Sequence, residues 1–300
     1  MNAEPIRRFV TACRVTEGAS FSLTDRRTDE DGGTGLDKAR GAKALEEAVD
    51  RISAQQERLY ADPRWSVLCI FQALDAAGKD GTIKHVFSGV NPQGMQVESF
   101  AAPSTLERSH DFLWRHAVAM PRRGRIGVHN RSWYEEVLVA RVEPAILQAA
   151  PLPPSLIGPH IWDQRLEDIA AHERYLARQG VLLLKFFLHV GAEEQRERLL
   201  ARIDEPAKNW KFEEGDLTVR ARRPDYLAAY EEAIRGTAAP HAPWYVIPAD
   251  RKWLARLLVA EAVAGAMEAL DLQFPKVSAA DRAGLGRARE GLARGDVAED

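Results

Sequence analysis

SVLCIFQALDAAGKDGTIKHVF, residues 66–87, is the stretch from which the fold can be read. Ser66 to Gln72 form an almost unbroken apolar run, the form a strand takes when a parallel sheet is covered on both faces. A glycine-containing turn follows, and a helix is expected from about Lys79. The turn itself, Ala73-Leu74-Asp75-Ala76-Ala77-Gly78-Lys79, approximates the phosphate-cradling pattern G-x-x-x-x-G-K-[ST]. Gly78 lets the backbone turn closely, so that N–H groups of Ala76, Ala77 and Gly78 can face an anion. The following helix, opening with Asp80 and Gly81, points its positive end at the same place. Lys79 adds a mobile cation. Two positions depart from the pattern: Ala73 replaces the first glycine, and Asp80 replaces the hydroxyl residue that would ligate Mg2+. Asp75 puts a carboxylate inside the loop. A bare anion there repels phosphate, so Asp75 makes sense as a ligand for a divalent cation or as an orienting group for a nucleophilic phosphate. The bland alternative is an ordinary strand–helix turn with a surface lysine.

Working outward, strands are expected at 95–102 (MQVESFAA), 125–130 (RIGVHN), 181–190 (VLLLKFFLHV) and 243–248 (PWYVIP). Helical spacing of Leu45, Val49, Ile52 and Leu59 predicts a helix over 37–60. Further helices are expected over 104–117, where Ser104 and Glu107 form a capping-box pattern, over 161–180 ending at Gly180, over 192–203 and over 250–270. Strand and helix in alternation give a three-layer α/β/α domain with a parallel sheet, which binds ligands at the carboxyl ends of its strands.

Two further segments carry candidate chemistry. After the strand at 125–130, Asn130 stands where a carboxylate usually follows such a strand, Arg131 can clamp phosphate bidentately, and Glu135 can serve a metal or a nucleotide. The alternative is that Asn130-Arg131-Ser132 caps a helix and that Glu135 and Glu136 are solvated first-turn residues. After the helix at 192–203, ARIDEPAKNWKFEEGDLTVRARRP mixes Arg202, Lys208 and Lys211 with Trp210 and Phe212. It predicts a lid over about 203–225, against the alternative of a solvated charged connection. SGVNPQG, residues 88–94, is a turn that can border the same site.

Composition bounds the function classes. The chain has 300 residues, 45% hydrophobic and 28% charged, with a formal net charge of −3. That balance argues against general nucleic-acid binding, so a polyanionic ligand needs a local basic cleft. No run approaches the roughly 18–20 apolar residues of a membrane helix, and MNAEPIRRFV lacks the pattern of a secretory signal. Cys13 and Cys69 give no disulfide framework, and a cytoplasmic location is expected. The histidines show no zinc-ligand spacing. Residues 1–36, rich in charge with TDRRTDEDGGTG, are expected to be a partly disordered arm, and residues 273–300 a polar tail flanking a domain over 37–272.

Four blocks, LDAAGKDGTIKHVFSGVNPQG, SFAAPSTLERSHDFLWR, GRIGVHNRSWYEEVLVARV and RIDEPAKNWKFEEGDL, resemble the family-2 polyphosphate kinases, most closely their class III subgroup. The resemblance spans about 37–272. It implies a thymidylate-kinase-like P-loop fold with a helical lid and Mg2+-dependent phosphoryl transfer (Mn2+ being an alternative) between inorganic polyphosphate and AMP, ADP or ATP. It further implies a homo-oligomer, dimer or tetramer. Carried over by position, Asp75 holds the metal or orients the nucleotide phosphate, and Lys79 binds the transferring phosphate. Asn130 and Arg131 fix the nucleotide phosphates, while Arg202, Lys208 and Lys211 grip the phosphate chain. Ala73 stands where that family usually has glycine, and its methyl is expected to narrow the loop's approach to phosphate. Two competing readings are an ATP-dependent nucleoside-monophosphate kinase, which the departures in the loop disfavour, and a weakly catalytic module that binds polyphosphate or nucleotide.

Overall fold

All eight residues of Ser66–Ala73 are buried. Val67, Cys69 and Phe71 enter one apolar cluster, while Leu68 and Ile70 enter another on the opposite face. This two-residue alternation between two cores is what a central strand of a covered sheet requires. The computed structural model describes residues 4–213 and 215–294 of the chain. Its strands are β1 (Arg14–Val15), β2 (Ser66–Ala73), β3 (Met95–Ser99), β4 (Ile126–Asn130), β5 (Val181–His189) and β6 (Trp244–Pro248). They lie in the order β1-β6-β5-β2-β4-β3. β3, β4, β2, β5 and β6 run parallel, and β1 closes one edge antiparallel to β6.

The helices in chain order are α1 (Glu4–Cys13), α2 (Lys38–Ala61), α3 (Lys79–Val86), α4 (Thr105–Arg108), α5 (Trp114–Val118), α6 (Val139–Val142) and α7 (Pro144–Gln148). They continue with α8 (Ile161–Arg178), α9 (Ala192–Asp204), α10 (Gly215–Ala221), α11 (Arg223–Thr237), α12 (Lys252–Glu268) and α13 (Ala279–Arg294). α12 is buried along most of its length, because it lies between the sheet and α2. Arg51 of α2 reaches across to Glu261 and Glu268 of α12 at 2.9 and 2.8 Å. On the other face, α8 and α11 pack over Leu183, Phe187, Trp244 and Val246. The result is the expected three-layer arrangement, with the strand order reversing around β2 and a crevice outside its carboxyl end.

Two regions differ from expectation. Residues 4–36, expected as a partly disordered arm, pack on the domain. Ile6, Phe9 and Cys13 recur on one face of α1 and bury against α12, and Val15 pairs with Trp244. Phe21 and Leu23 join the opposite core, and Leu23 N–H donates to Glu231 at 2.8 Å. The segment's apolar anchors are sparse enough to be outweighed by its charges. Residues 1–3 of the expected arm and 295–300 of the expected tail lie outside the described residues. The helix expected over 104–117 is two short helices. The capping box at Ser104 and Glu107 forms, but Asp111 then accepts from Leu113 N–H at 2.9 Å, which turns the chain before α5. A helix that the sequence reading did not assign is Arg223–Thr237, whose buried Tyr226, Tyr230, Ala233 and Ile234 follow directly on the basic run.

Candidate active site

β2 delivers the Ala73–Lys79 turn to the carboxyl edge of the sheet, and β4 delivers Asn130 and Arg131 beside it, because Asn130 pairs with Phe71. The turn is conformationally demanding. Gly78, the residue before α3, has φ 105°, and Ala76 has φ 61° without being glycine. Arg131 has φ 66° and donates its backbone N–H to Phe71 at 3.0 Å. Left-handed backbone at a non-glycine costs about 1 kcal/mol or more, and such residues gather where a site imposes the geometry.

The candidate residues converge. A cleft of about 980 Å³ is lined by the whole turn from Ala73 through Gly81, by Asn130, Arg131 and Glu135, and by Arg202, Lys208 and Lys211. Lys79 Nζ donates to Ala73 O at 3.0 Å. Burial lowers its pKa, as does Arg131, while Asp75, Glu135 and Asp80 act to raise it. Arg131 lies between two carboxylates, 3.7 Å from Asp75 and 3.6 Å from Glu135. Burial raises the pKa of Glu135, with Arg131 and Lys79 opposing. Asp80 accepts a 2.9 Å hydrogen bond from Asn130 Nδ2. Asn130 Oδ1 is buried and has no hydrogen-bond partner among the described residues. Ser132 caps the turn that follows by accepting from Tyr134 N–H. Glu136 does not join the cleft, since it pairs with Arg165 at 3.2 Å.

The segment over 203–225 lines the cleft through a 3-10 turn, Pro206–Lys211, and α10. Its charges are partly spent on one another. Arg202 pairs with Asp216 at 2.9 Å, and Lys208 pairs with Glu205 at 2.5 Å. Lys211 stands 5.0 Å over the ring of Trp210, which is 78% exposed.

Sequence reasoning missed the residues that hold the turn in shape. Arg198 of α9 is buried and donates to Ala77 O at 2.7 Å and Ala76 O at 3.3 Å. Its other nitrogens reach Ala249 O at 2.6 Å, Asp250 O at 3.1 Å and Glu194 at 2.6 Å. Occupying those carbonyls from behind turns the N–H side of the loop toward the cleft. Gln195 donates to Asp75 O at 3.0 Å and accepts from Arg223 at 3.1 Å. In the sequence, AEEQRERLLARI reads as a solvated charged helix, and nothing in its spacing marks these two positions.

Among the described residues no group of three or more His, Cys, Asp or Glu forms a cage for an ion. Asp75 touches Arg131 only at 3.7 Å, longer than a hydrogen bond, which leaves its oxygens available. That donor set suits Mg2+, which takes one or two carboxylates and completes its shell with substrate phosphates and water.

The sequence pattern of polyphosphate kinase 2 matches residues 35–275. The chain belongs to the polyphosphate kinase 2 family. An ADP-polyphosphate phosphotransferase of Rhodopseudomonas palustris is 50% identical over 249 residues, covering 83% of this chain and 86% of that one. An AMP/ADP-polyphosphate phosphotransferase of Meiothermus ruber is 42% identical over 265 residues, covering 88% and 94%. The crystal structure of polyphosphate kinase 2 from Arthrobacter aurescens superposes with a TM-score of 0.81 at 37% identity, covering 91% of this chain and 95% of that one. Family membership and this superposition agree with the parallel sheet and the turn after β2.

Proposed function

We propose that the protein transfers phosphoryl groups between inorganic polyphosphate and adenine nucleotides, taking AMP and ADP toward ADP and ATP and running reversibly. The observation that carries this reading is the meeting of Lys79, Arg131 and the N–H side of the Ala76–Gly78 turn in one cleft with Asp75. The relatives named above are polyphosphate phosphotransferases acting on ADP or on AMP and ADP, and they favour this reading over an ATP-dependent monophosphate kinase or a binding module.

Phosphoryl transfer asks the protein chiefly for positioning and for neutralisation of charge on the transferring group. The turn and the start of α3 hold phosphate oxygens by N–H groups. Lys79 exchanges its bond to Ala73 O for a phosphate oxygen, and Arg131 pairs a second one while Asp75 and Glu135 keep its guanidinium in place. Asn130, fixed by Asp80, orients the nucleotide phosphate. The cleft is lined by eight Lys and Arg against eight Asp and Glu among the described residues. The lining is formally neutral, so a polyanion needs positive charge brought with it. Mg2+ held by Asp75 and phosphate oxygens supplies that charge when bound, with Mn2+ as a substitute. Partners are therefore polyphosphate and nucleotides rather than nucleic acid or membrane. No helix of the described residues is long and apolar enough to cross a membrane. We further place the protein in the cytoplasm as a homo-oligomer, a dimer or tetramer.

The test is incubation with Mg2+, polyphosphate and either AMP or ADP, with ATP followed by luminescence. ATP formed from at least one acceptor, dependent on polyphosphate, is expected. No ATP from either acceptor overturns the reading.

A further inference from the structure

The left-handed backbone of Arg131 persists only where its surroundings over-determine it. Before the side chain, its N–H is tied to Phe71 O at 3.0 Å. After it, Ser132 Oγ accepts from Tyr134 N–H at 3.3 Å and from Gln72 Nε2 at 3.2 Å. Trp133 and Tyr134, the next two residues, are fully buried. Both donate to a single oxygen, Oε1 of Glu173 on α8, from Trp133 Nε1 at 3.3 Å and Tyr134 Oη at 2.7 Å. The other oxygen of Glu173, Oε2, accepts from Lys185 Nζ of β5 at 2.6 Å. Lys185 donates also to Thr237 O at 2.9 Å and to Tyr134 Oη at 3.1 Å. None of Trp133, Tyr134, Glu173 and Lys185 lines the cleft, yet Trp133 and Tyr134 sit between Arg131 and Glu135, which both do.

Glu173 and Lys185 are themselves fully buried. Burial raises the pKa of Glu173 and lowers that of Lys185, and each opposes the shift of the other. An apolar pair of similar volume commonly stabilises a core as well as a buried ion pair does. Stability alone therefore gives no reason for a lysine in the middle of the apolar strand Val181–His189. What an apolar pair cannot do is hold an indole N–H and a phenol O–H at fixed points. We infer that Glu173 and Lys185 are positioning residues for the Arg131–Glu135 limb of the cleft: Lys185 fixes the carboxylate through Oε2, and Oε1 fixes Trp133 and Tyr134. This rests on the proposed activity, in which Arg131 pairs a phosphate oxygen. The limb is thereby braced from α8 and β5, on the side away from substrate.

The experiment compares wild type with three variants of the full chain. Glu173→Gln with Lys185→Met removes both charges but keeps an acceptor oxygen for Trp133 and Tyr134. Glu173→Leu with Lys185→Met fills the same space and removes the acceptor. Tyr134→Phe keeps the ion pair and deletes one donor, and it decides the question if thermal melting shows that the apolar double variant does not fold. The readouts are kcat and KM for ADP with polyphosphate as donor, and calorimetric binding of ADP with Mg2+. The glutamine double variant should stay within about threefold of wild type in kcat/KM. The leucine double variant, folded, should lose about 30–100-fold in kcat/KM, with binding of ADP weaker by about fivefold or more. Tyr134→Phe should lose about fivefold. Equal kinetics and ADP binding in the two folded double variants overturn the positioning role, as do wild-type values in Tyr134→Phe where the leucine variant does not fold. Lack of polyphosphate turnover in the wild type overturns the proposed activity instead, and the same comparison of ADP binding still judges the positioning role.

Discussion

Asn130 Nδ2 donates a 2.9 Å hydrogen bond to Asp80 Oδ1, joining the end of β4 to the first turn of α3. In the ordinary phosphate-binding loop a hydroxyl follows the lysine and a carboxylate follows the neighbouring strand. Here the two roles are exchanged: Asp80 brings the carboxylate and Asn130 the neutral donor. The pair fixes the amide so that Oδ1, which has no hydrogen-bond partner among the described residues, faces inward.

Asn130→Asp sets two carboxylates against each other at this contact. Loss of a positioned donor costs about 10–100-fold in kcat/KM. Asp80→Asn in the same chain should restore part of it, because a donor and an acceptor again face one another. Steady-state kinetics on wild type and the two variants check this, and equal rates in wild type and Asn130→Asp would remove the pair from the account.

Arg198 satisfies four backbone carbonyls from a buried position. Arg198→Met leaves those oxygens and Glu194 without it. The expected loss of stability is about 2–4 kcal/mol, read as a lower urea midpoint at constant slope. Turnover should fall as well, since the loop is no longer held from behind. A variant as stable as wild type would show that water replaces the guanidinium at no cost.

His116 and His129 are fully buried; both ring nitrogens of His116 and Nδ1 of His129 lack hydrogen-bond partners among the described residues. Burial pushes His116 down to about 2 and His129 down to about 4. Arg115, His129 and His172 lower His116 further, whereas the backbone bond at Ala119 raises His129. Unfolded histidine titrates near ~6.5, so between that value and about 4 the unfolded chain binds protons that the folded chain refuses. Stability is therefore fully present above about pH 6.5 and is lost as pH falls, by ~1.4 kcal/mol per pH unit for each histidine. Urea midpoints at pH 7 and pH 5 check this. His116→Phe should flatten the dependence, and an unchanged slope would contradict it.

Ala73, expected to crowd phosphate, closes β2 opposite Leu188 and belongs to the apolar cluster that also contains Ala77 and Ile83. Its methyl serves the core, and its carbonyl accepts from Lys79. Ala73→Gly should cost about 0.5–1 kcal/mol in stability and change the rate by less than about twofold. A large gain in rate would reinstate the steric reading.

Much of this architecture was legible because local signals agreed with the tertiary environment. The apolar run at 66–73, Gly78, the Ser104–Glu107 capping box and Gly180 with φ 82° each state a backbone requirement that the fold meets. β1 was not legible, since two residues flanked by polar sequence carry no period. Its pairing comes from β6, far along the chain. Arg198 was not legible either. A charge on an amphipathic helix looks the same whether it faces water or the loop, and only the tertiary carbonyls it meets, those of Ala76, Ala77, Ala249 and Asp250, decide which. The Lys208 and Lys211 segment was read from composition and from the family resemblance, and neither reveals its internal pairing with Glu205 and Trp210.

The central claim is that phosphate leaves a polyphosphate chain and joins a nucleotide at the Ala73–Lys79 turn. Phosphorus NMR of one reaction mixture, with polyphosphate, ADP and Mg2+, tests it most directly in wild type and Lys79→Ala. In the wild type, interior-chain phosphate should decline as the terminal phosphate of ATP rises in equal amount. In folded Lys79→Ala both changes should be slower by about a thousandfold or more. Chain phosphate appearing as free phosphate without ATP, or near-normal transfer by Lys79→Ala, would contradict the account.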